Sequence, residues 1–184
     1  VPGLPQAEPS LKITYVQPKD FTGLLRYVRN ILVVTIDPTA YTKVSVGYEN
    51  NVWARGQVVV SLKAPNTESI VEYSKTHEKA LVNFFVKVEM NRAIEQLQKE
   101  YSMVVMDNLK SDLNVMLNAP ANFTYYKDTT DFFWSSNNAN TGRMDLIVYT
   151  FPYTDPNTFT EEYLVAKRDS ALKANLPGSF PGSY

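Results

Sequence analysis

One histidine and no cysteine in 184 residues narrow the available chemistry at once. Thiol nucleophiles, iron–sulfur ligation and zinc fingers need cysteine, and a His-based zinc or haem site needs more imidazole than His77 alone supplies. His77 falls four residues after Tyr73 and four before Leu81, on the apolar stripe of a helical pattern, and reads as a packing residue. Ser170-Ala171-Leu172-Lys173 spells the S-x-x-K of serine acyl-enzymes, where a lysine one turn from the serine activates it. It has no K-T-G or S-D-N partner and sits in mid-helix, so chance is the simpler source. Asp128 with Asp131, and Glu161 with Glu162, can be read as the acid and base of a glycoside hydrolase, a role that requires a cleft to hold the two carboxyls on either side of the glycosidic bond. Turn aspartates and helix-head glutamates are the commoner explanation. The seven glycines are scattered and none falls in a phosphate-binding loop, so no nucleotide cofactor, and no other cofactor, is expected. No catalytic residue and no metal ligand is assigned.

Aromatic residues are the stronger signal. Tyr125, Tyr126, Phe132, Phe133, Trp134, Tyr149, Phe151, Tyr153 and Phe159 crowd the chain between positions 125 and 159. In the run Leu146 to Phe151, alternate side chains take opposite faces of a strand. With Ile147, Tyr149 and Phe151 as the core set, Trp134 and Tyr153 are left to stack on a sugar or a protein partner, and these two are the candidate binding residues.

The elements that must position them follow from periodicity. Strands are expected at Leu11–Val16, Ile31–Ile36, Val44–Tyr48 (an edge), Gln57–Leu62, Leu113–Leu117, Asp131–Ser135 and Met144–Phe151. A short helix is expected from Asp20 to Arg29. A long one, capped by Asn66, runs to about position 111 with a break near Asn83–Val88, where β-branched and aromatic side chains crowd. Thr158 and Glu161 form a capping-box pattern for a last helix ending near Asn175.

The halves resemble each other. LKITYVQPKDFT at Leu11–Thr22 lies over LNVMLNAPANFT at Leu113–Thr124, sharing Leu11/Leu113, Pro18/Pro120, Phe21/Phe123 and Thr22/Thr124. The reading is an α+β fold of mainly antiparallel sheet with helices on one face, in tandem β-α-β-β-α units of ferredoxin-like order. One domain spans 1–184, with repeat units at about 11–101 and 113–176. The Pro/Gly-rich ends suggest a trimmed piece of a longer chain.

Eighteen basic against nineteen acidic residues leave a net charge of −1, which disfavours nucleic acid. The longest apolar run, Ile31–Ile36, is far short of a membrane span.

RNILVVTID (Arg29–Asp37), FFVKVEMNR (Phe84–Arg92), DFFWSSNN (Asp131–Asn138) and above all YTFPYTDPNTFTEEYLVAKRDSALKANLPG (Tyr149–Gly178) resemble a Bacteroidetes family known as domain of unknown function 4837, over nearly the whole chain. The resemblance implies an exported lipoprotein of the cell envelope, periplasmic or at the outer membrane, held to the membrane only through a lipid anchor absent from this chain. It brings no activity, ligand or site residue. It also makes Asp128-Thr129-Thr130 and Asp169-Ser170-Ala171 resemble the short O-glycan acceptors of exported proteins of that phylum, the first of them in an expected loop. The function expected is a non-catalytic binding or structural module with a protein or carbohydrate partner; the alternative is a hydrolase or glycan-processing enzyme using acidic residues.

Overall fold

The computed structural model describes residue 9, residues 11–180 and residue 183. They form two compact units, Val1–Glu95 and Gln96–Tyr184, and the fold is α+β, with three helices and two three-stranded sheets. The unit boundary falls inside the long helix that closes the first expected repeat.

In the first unit, β-branched runs become β1 (Asn30–Ile36) and β3 (Val58–Ala64), with β2 (Ser45–Asn50) between them in sequence. The sheet order is β1-β3-β2; β1 and β3 are parallel, and β2 and β3 antiparallel. The middle strand β3 holds most of the buried side chains, Val58, Val59, Val60, Leu62 and Ala64, with Ile31 of β1 beside them. The chain enters β3 through Gln57, whose buried amide donates to the carbonyls of Arg26 and Val28, both at 2.7 Å, and accepts from Trp53 N–H at 3.0 Å. Helix α1 (Thr67–Lys99) follows, with the Asn66 carboxamide capping it through Ser69 N–H at 2.9 Å. Arg92 ties α1 to the sheet. Its guanidinium donates to Asn30 Oδ1, the carbonyls of Arg29 and Gly56, and Glu89.

The second unit takes in the last residues of α1, and the helical pattern breaks at Glu100–Ser102 instead of Asn83–Val88. Crowded β-branched residues cost helix only tenths of a kcal/mol each, whereas Ser102 supplies a real N-cap. Its hydroxyl accepts from Val105 N–H and donates to Phe123 O at 2.6 Å, and its N–H donates to Ala119 O. Helix α2 (Met103–Leu113) then turns Val105 and Leu109 into a core with Ala119, Phe123 and Phe133. Strands β4 (Tyr125–Thr129), β5 (Phe132–Ser136) and β6 (Asp145–Tyr149) make an antiparallel meander. Strand β4 was not expected from the sequence. After the 3-10 turn Pro156–Phe159 comes α3 (Glu161–Asn175), capped by Thr160, not Thr158. Thr158 belongs to a separate box with Asp155 that caps the 3-10 turn.

Three further expectations differ. Leu11–Val16 and Leu113–Leu117 are not strands: Leu113 ends α2, Asn114 closes it in the left-handed region at φ 53, and no neighbouring strand pairs with either segment. Alternation alone does not bury these segments: Ile13 and Met116 are among the most exposed apolar side chains, and Leu113 packs on the core only as the last residue of α2. Asp20–Arg29 forms two 3-10 turns, Pro18–Asp20 and Gly23–Tyr27, because Thr22 is extended and Gly23 takes φ 55. The two sheets also differ in order, so the internal repeat does not extend to strand pairing.

Leu109→Ala is expected to destabilise the second unit by about 2–5 kcal/mol, since it opens a cavity at a side chain with no room to collapse. Ile13→Ala, in the segment that only looks like a strand, should change stability by less than about 0.5 kcal/mol. Urea unfolding of both variants checks this; a large effect at Ile13 would overturn the assignment of that segment.

Candidate functional site

Strand register sorts the aromatic residues of the second unit onto two faces. Phe133, Ser135, Leu146 and Val148 share one face, where Leu146 and Val148 join the α2 core. The core set on β6 is therefore Leu146 and Val148, with Ile147 and Tyr149 on the other face beside Phe132 and Trp134. That second face is covered by α3: Phe151 packs on Tyr163 at 6.0 Å, and Lys127 reaches the Asn175 carbonyl at 2.7 Å, a cation at a helix C-terminus. Both residue sets meet a helix because the sheet is sandwiched.

Trp134 is half-buried and engaged. Its indole N–H donates to Asp145 Oδ1 at 2.9 Å, and the Arg143 guanidinium lies 6.0 Å above its ring while also pairing with Asp145. Partial burial works against ionised Asp145, yet Arg143, Ser136 and Trp134 together hold its carboxyl below the usual range. Tyr153 is 63% exposed and stacks at 5.4 Å on Phe159, 71% exposed. The pair stands between Pro152 and the capped turn whose Asp155 accepts from Asn157 N–H at 2.7 Å, so the loop is held in shape. Tyr153 was singled out by elimination. Its partner Phe159 was missed, although the Asp155-Pro156 turn between them is the signal that brings them together.

The acidic candidates separate. Asp131 sits in the β4–β5 turn with Oδ1 3.4 Å from Thr150 Oγ1, whereas Asp128 meets Asp112 at the end of α2. Loss of hydration and the adjacent Asp112 carboxyl push Asp128 up, while Asp112 is held down by the Ser111 hydroxyl and by Asp128. Glu161 and Glu162 head α3, where they suit the helix dipole. Ser170 lies in α3, lining a cleft with Lys167, not with Lys173. His77 is exposed and stacks at 4.0 Å on Tyr73. Of the two O-glycan-like triplets, Asp128 and Thr129 lie on β4 with Thr130 at its turn, and Asp169–Ala171 lies in α3. Among the described residues no group of acidic or histidine side chains is arranged to hold a metal, and no helix is long and apolar enough to cross a membrane.

Residues 1–98 match the family Domain of unknown function (DUF8532), and residues 102–184 match Domain of unknown function (DUF4837). The resemblance read from the sequence thus holds over the second half, and the first half matches a family of its own. No curated protein and no solved structure matches the chain.

Because Asp128 holds its proton more tightly in the folded chain than in the unfolded one, ionising it costs stability as pH rises through its raised folded value. Asp128→Asn is expected to raise Tm at pH 7, and the gain should vanish below the ordinary carboxylate value of about 3.9, where Asp128 is already neutral. A Tm difference that does not change with pH would sink this reading.

Proposed function

The chain belongs to the family Domain of unknown function (DUF8532), and we propose that it is a non-catalytic binding module of the cell envelope whose second unit, a DUF4837 match, grips carbohydrate. The observation that carries the reading is the stacked pair Tyr153 and Phe159, two large rings left outside on a loop fixed by Pro152 and Pro156. A soluble chain loses water-ordering cost by burying such rings; rings kept outside on a stiff loop offer a flat apolar face at low entropic cost. The C–H face of a pyranose fits that surface. Trp134 supports the same region less directly, since Asp145 and Arg143 already occupy its edge and one face. The envelope part of the reading rests on the resemblance of the second half to exported lipoproteins.

A hydrolase remains the second reading because Asp112 and Asp128 are paired carboxyls pushed apart in proton affinity, the arrangement an acid and base require. One experiment separates the two. The full chain is sedimented with purified peptidoglycan sacculi, chitin and xylan, and the supernatants are assayed for new reducing ends. Retention on at least one glycan without new reducing ends is expected, with Tyr153→Ala/Phe159→Ala weakening it about tenfold, the loss of roughly 1.4 kcal/mol. Retention equal to wild type in the double variant, or none at all, would overturn the binding reading, and new reducing ends lost in Asp128→Asn would favour the hydrolase.

A further inference from the structure

Between the β4–β5 turn, the end of β6 and one side of α3 lies a cleft of about 380 Å³, within the range of small-molecule sites, about 300–1,000 Å³. Tyr149 and Phe151 form an aromatic wall, their rings 6.0 Å apart and 28° from parallel. Thr130, Thr150 and Ser170 line it from three different segments, the Thr150 hydroxyl 3.4 Å from Asp131 Oδ1, and Lys167 lines it from α3. The state of Lys167 decides what the cleft suits. Of this unit's other cations, Lys127 pairs with the Asn175 carbonyl, Arg143 with the carboxylate of Asp145 and Arg168 with that of Asp169. The Lys167 ammonium instead lies over the rings of Phe151 and Tyr163, at 5.8 and 5.3 Å. Among the described residues it has no oxygen partner within ion-pair or hydrogen-bond distance. Ring faces hold a cation in place while leaving its N–H groups unfilled, so its position is set before any anion arrives.

We propose that this cleft is a second binding site, for a small polyhydroxylated ring carrying one anionic group. The anion meets Lys167, the ring's C–H face lies on Tyr149 and Phe151, and its hydroxyls exchange hydrogen bonds with Thr130, Thr150 and Ser170. Asp131, also in the lining, is an acceptor for those hydroxyls and selects against a ligand with a second negative charge on that side. A carboxylate and a phosphate satisfy Lys167 alike. The site uses neither Tyr153 nor Phe159, so it stands or falls apart from the surface reading above.

The test is a titration of the isotope-labelled full chain, followed by amide NMR shifts, with D-glucuronate, D-glucose 6-phosphate and D-glucose at one ionic strength. Saturable shifts confined to residues near 129–131, 149–151 and 167–175 are expected with at least one anionic sugar, at least about tenfold tighter than glucose, as a hydrogen bond to a charged group implies. Which of the two binds identifies a carboxylate or a phosphate. Lys167→Gln should bring the anionic sugar to the level of glucose and Lys167→Arg should keep most of the difference. Ser170→Phe, at an exposed helix position, should block the cleft with Lys167 still in place. Anionic sugars that do not saturate or bind no tighter than glucose, wild-type affinity in folded Lys167→Gln, or unchanged binding in Ser170→Phe would each overturn the proposal.

Discussion

The second unit depends on what one buried hydroxyl does to a helix. Forty-odd residues with helical periodicity would run straight through position 102 if propensity alone decided, because each residue added to a formed helix gains a hydrogen bond. Ser102 ends that run by offering the backbone something else: it caps Val105, its own N–H goes to Ala119 O, and its side chain goes to Phe123 O. Those bonds bring residues 119–123 against the first turn of α2, and Ala119 and Phe123 thereby become core neighbours of Val105 and Leu109. Asn118 adds a bond to Leu97 O at 3.0 Å on the other side of the break. A hydroxyl this deep that lost a partner would cost about 1–3 kcal/mol, so the cap and the core hold each other.

The first unit reaches order by a different route. No residue of α1 is fully buried, and Leu32, Val34 and Ile36 on β1 stay close to half-exposed. What fastens its parts is polar: Gln57 joins three backbone groups from two stretches of chain, and Arg92 gathers four oxygen partners from β1, the residue just before it, the loop before β3 and its own helix. Charged hydrogen bonds of this kind are directional, so they fix the helix in register where apolar contact alone would let it slide.

How far the sequence discloses this varies by residue. β1 and β3 were legible because Ile31–Ile36 and Val58–Leu62 are β-branched runs that suit a strand wherever it pairs. Leu11–Val16 shows the better alternation and forms no strand, because alternation describes one chain and a strand needs two. β4 was hidden for the opposite reason: Tyr125-Tyr126-Lys127-Asp128-Thr129 looks polar, and only its hairpin with Phe132–Ser136 gives it a sheet. In the second unit, excess aromatic residues led to Tyr153, which the fold leaves exposed. They could not show that Trp134 is tied to Asp145, nor that Lys167, four residues after Tyr163 and so one helical turn away, would be drawn over aromatic rings.

Trp134 carries a further consequence. The chain has two tryptophans, and they fall one to each unit. Trp53 lies edge-on to Phe21 at 5.5 Å in the first, and Trp134 is bonded to Asp145 beneath a guanidinium in the second. Indole emission shifts with the polarity and charge around the ring, so the protein carries a separate optical gauge in each half. Removing either one leaves the other to report its own unit, and the two halves can be watched melting one at a time.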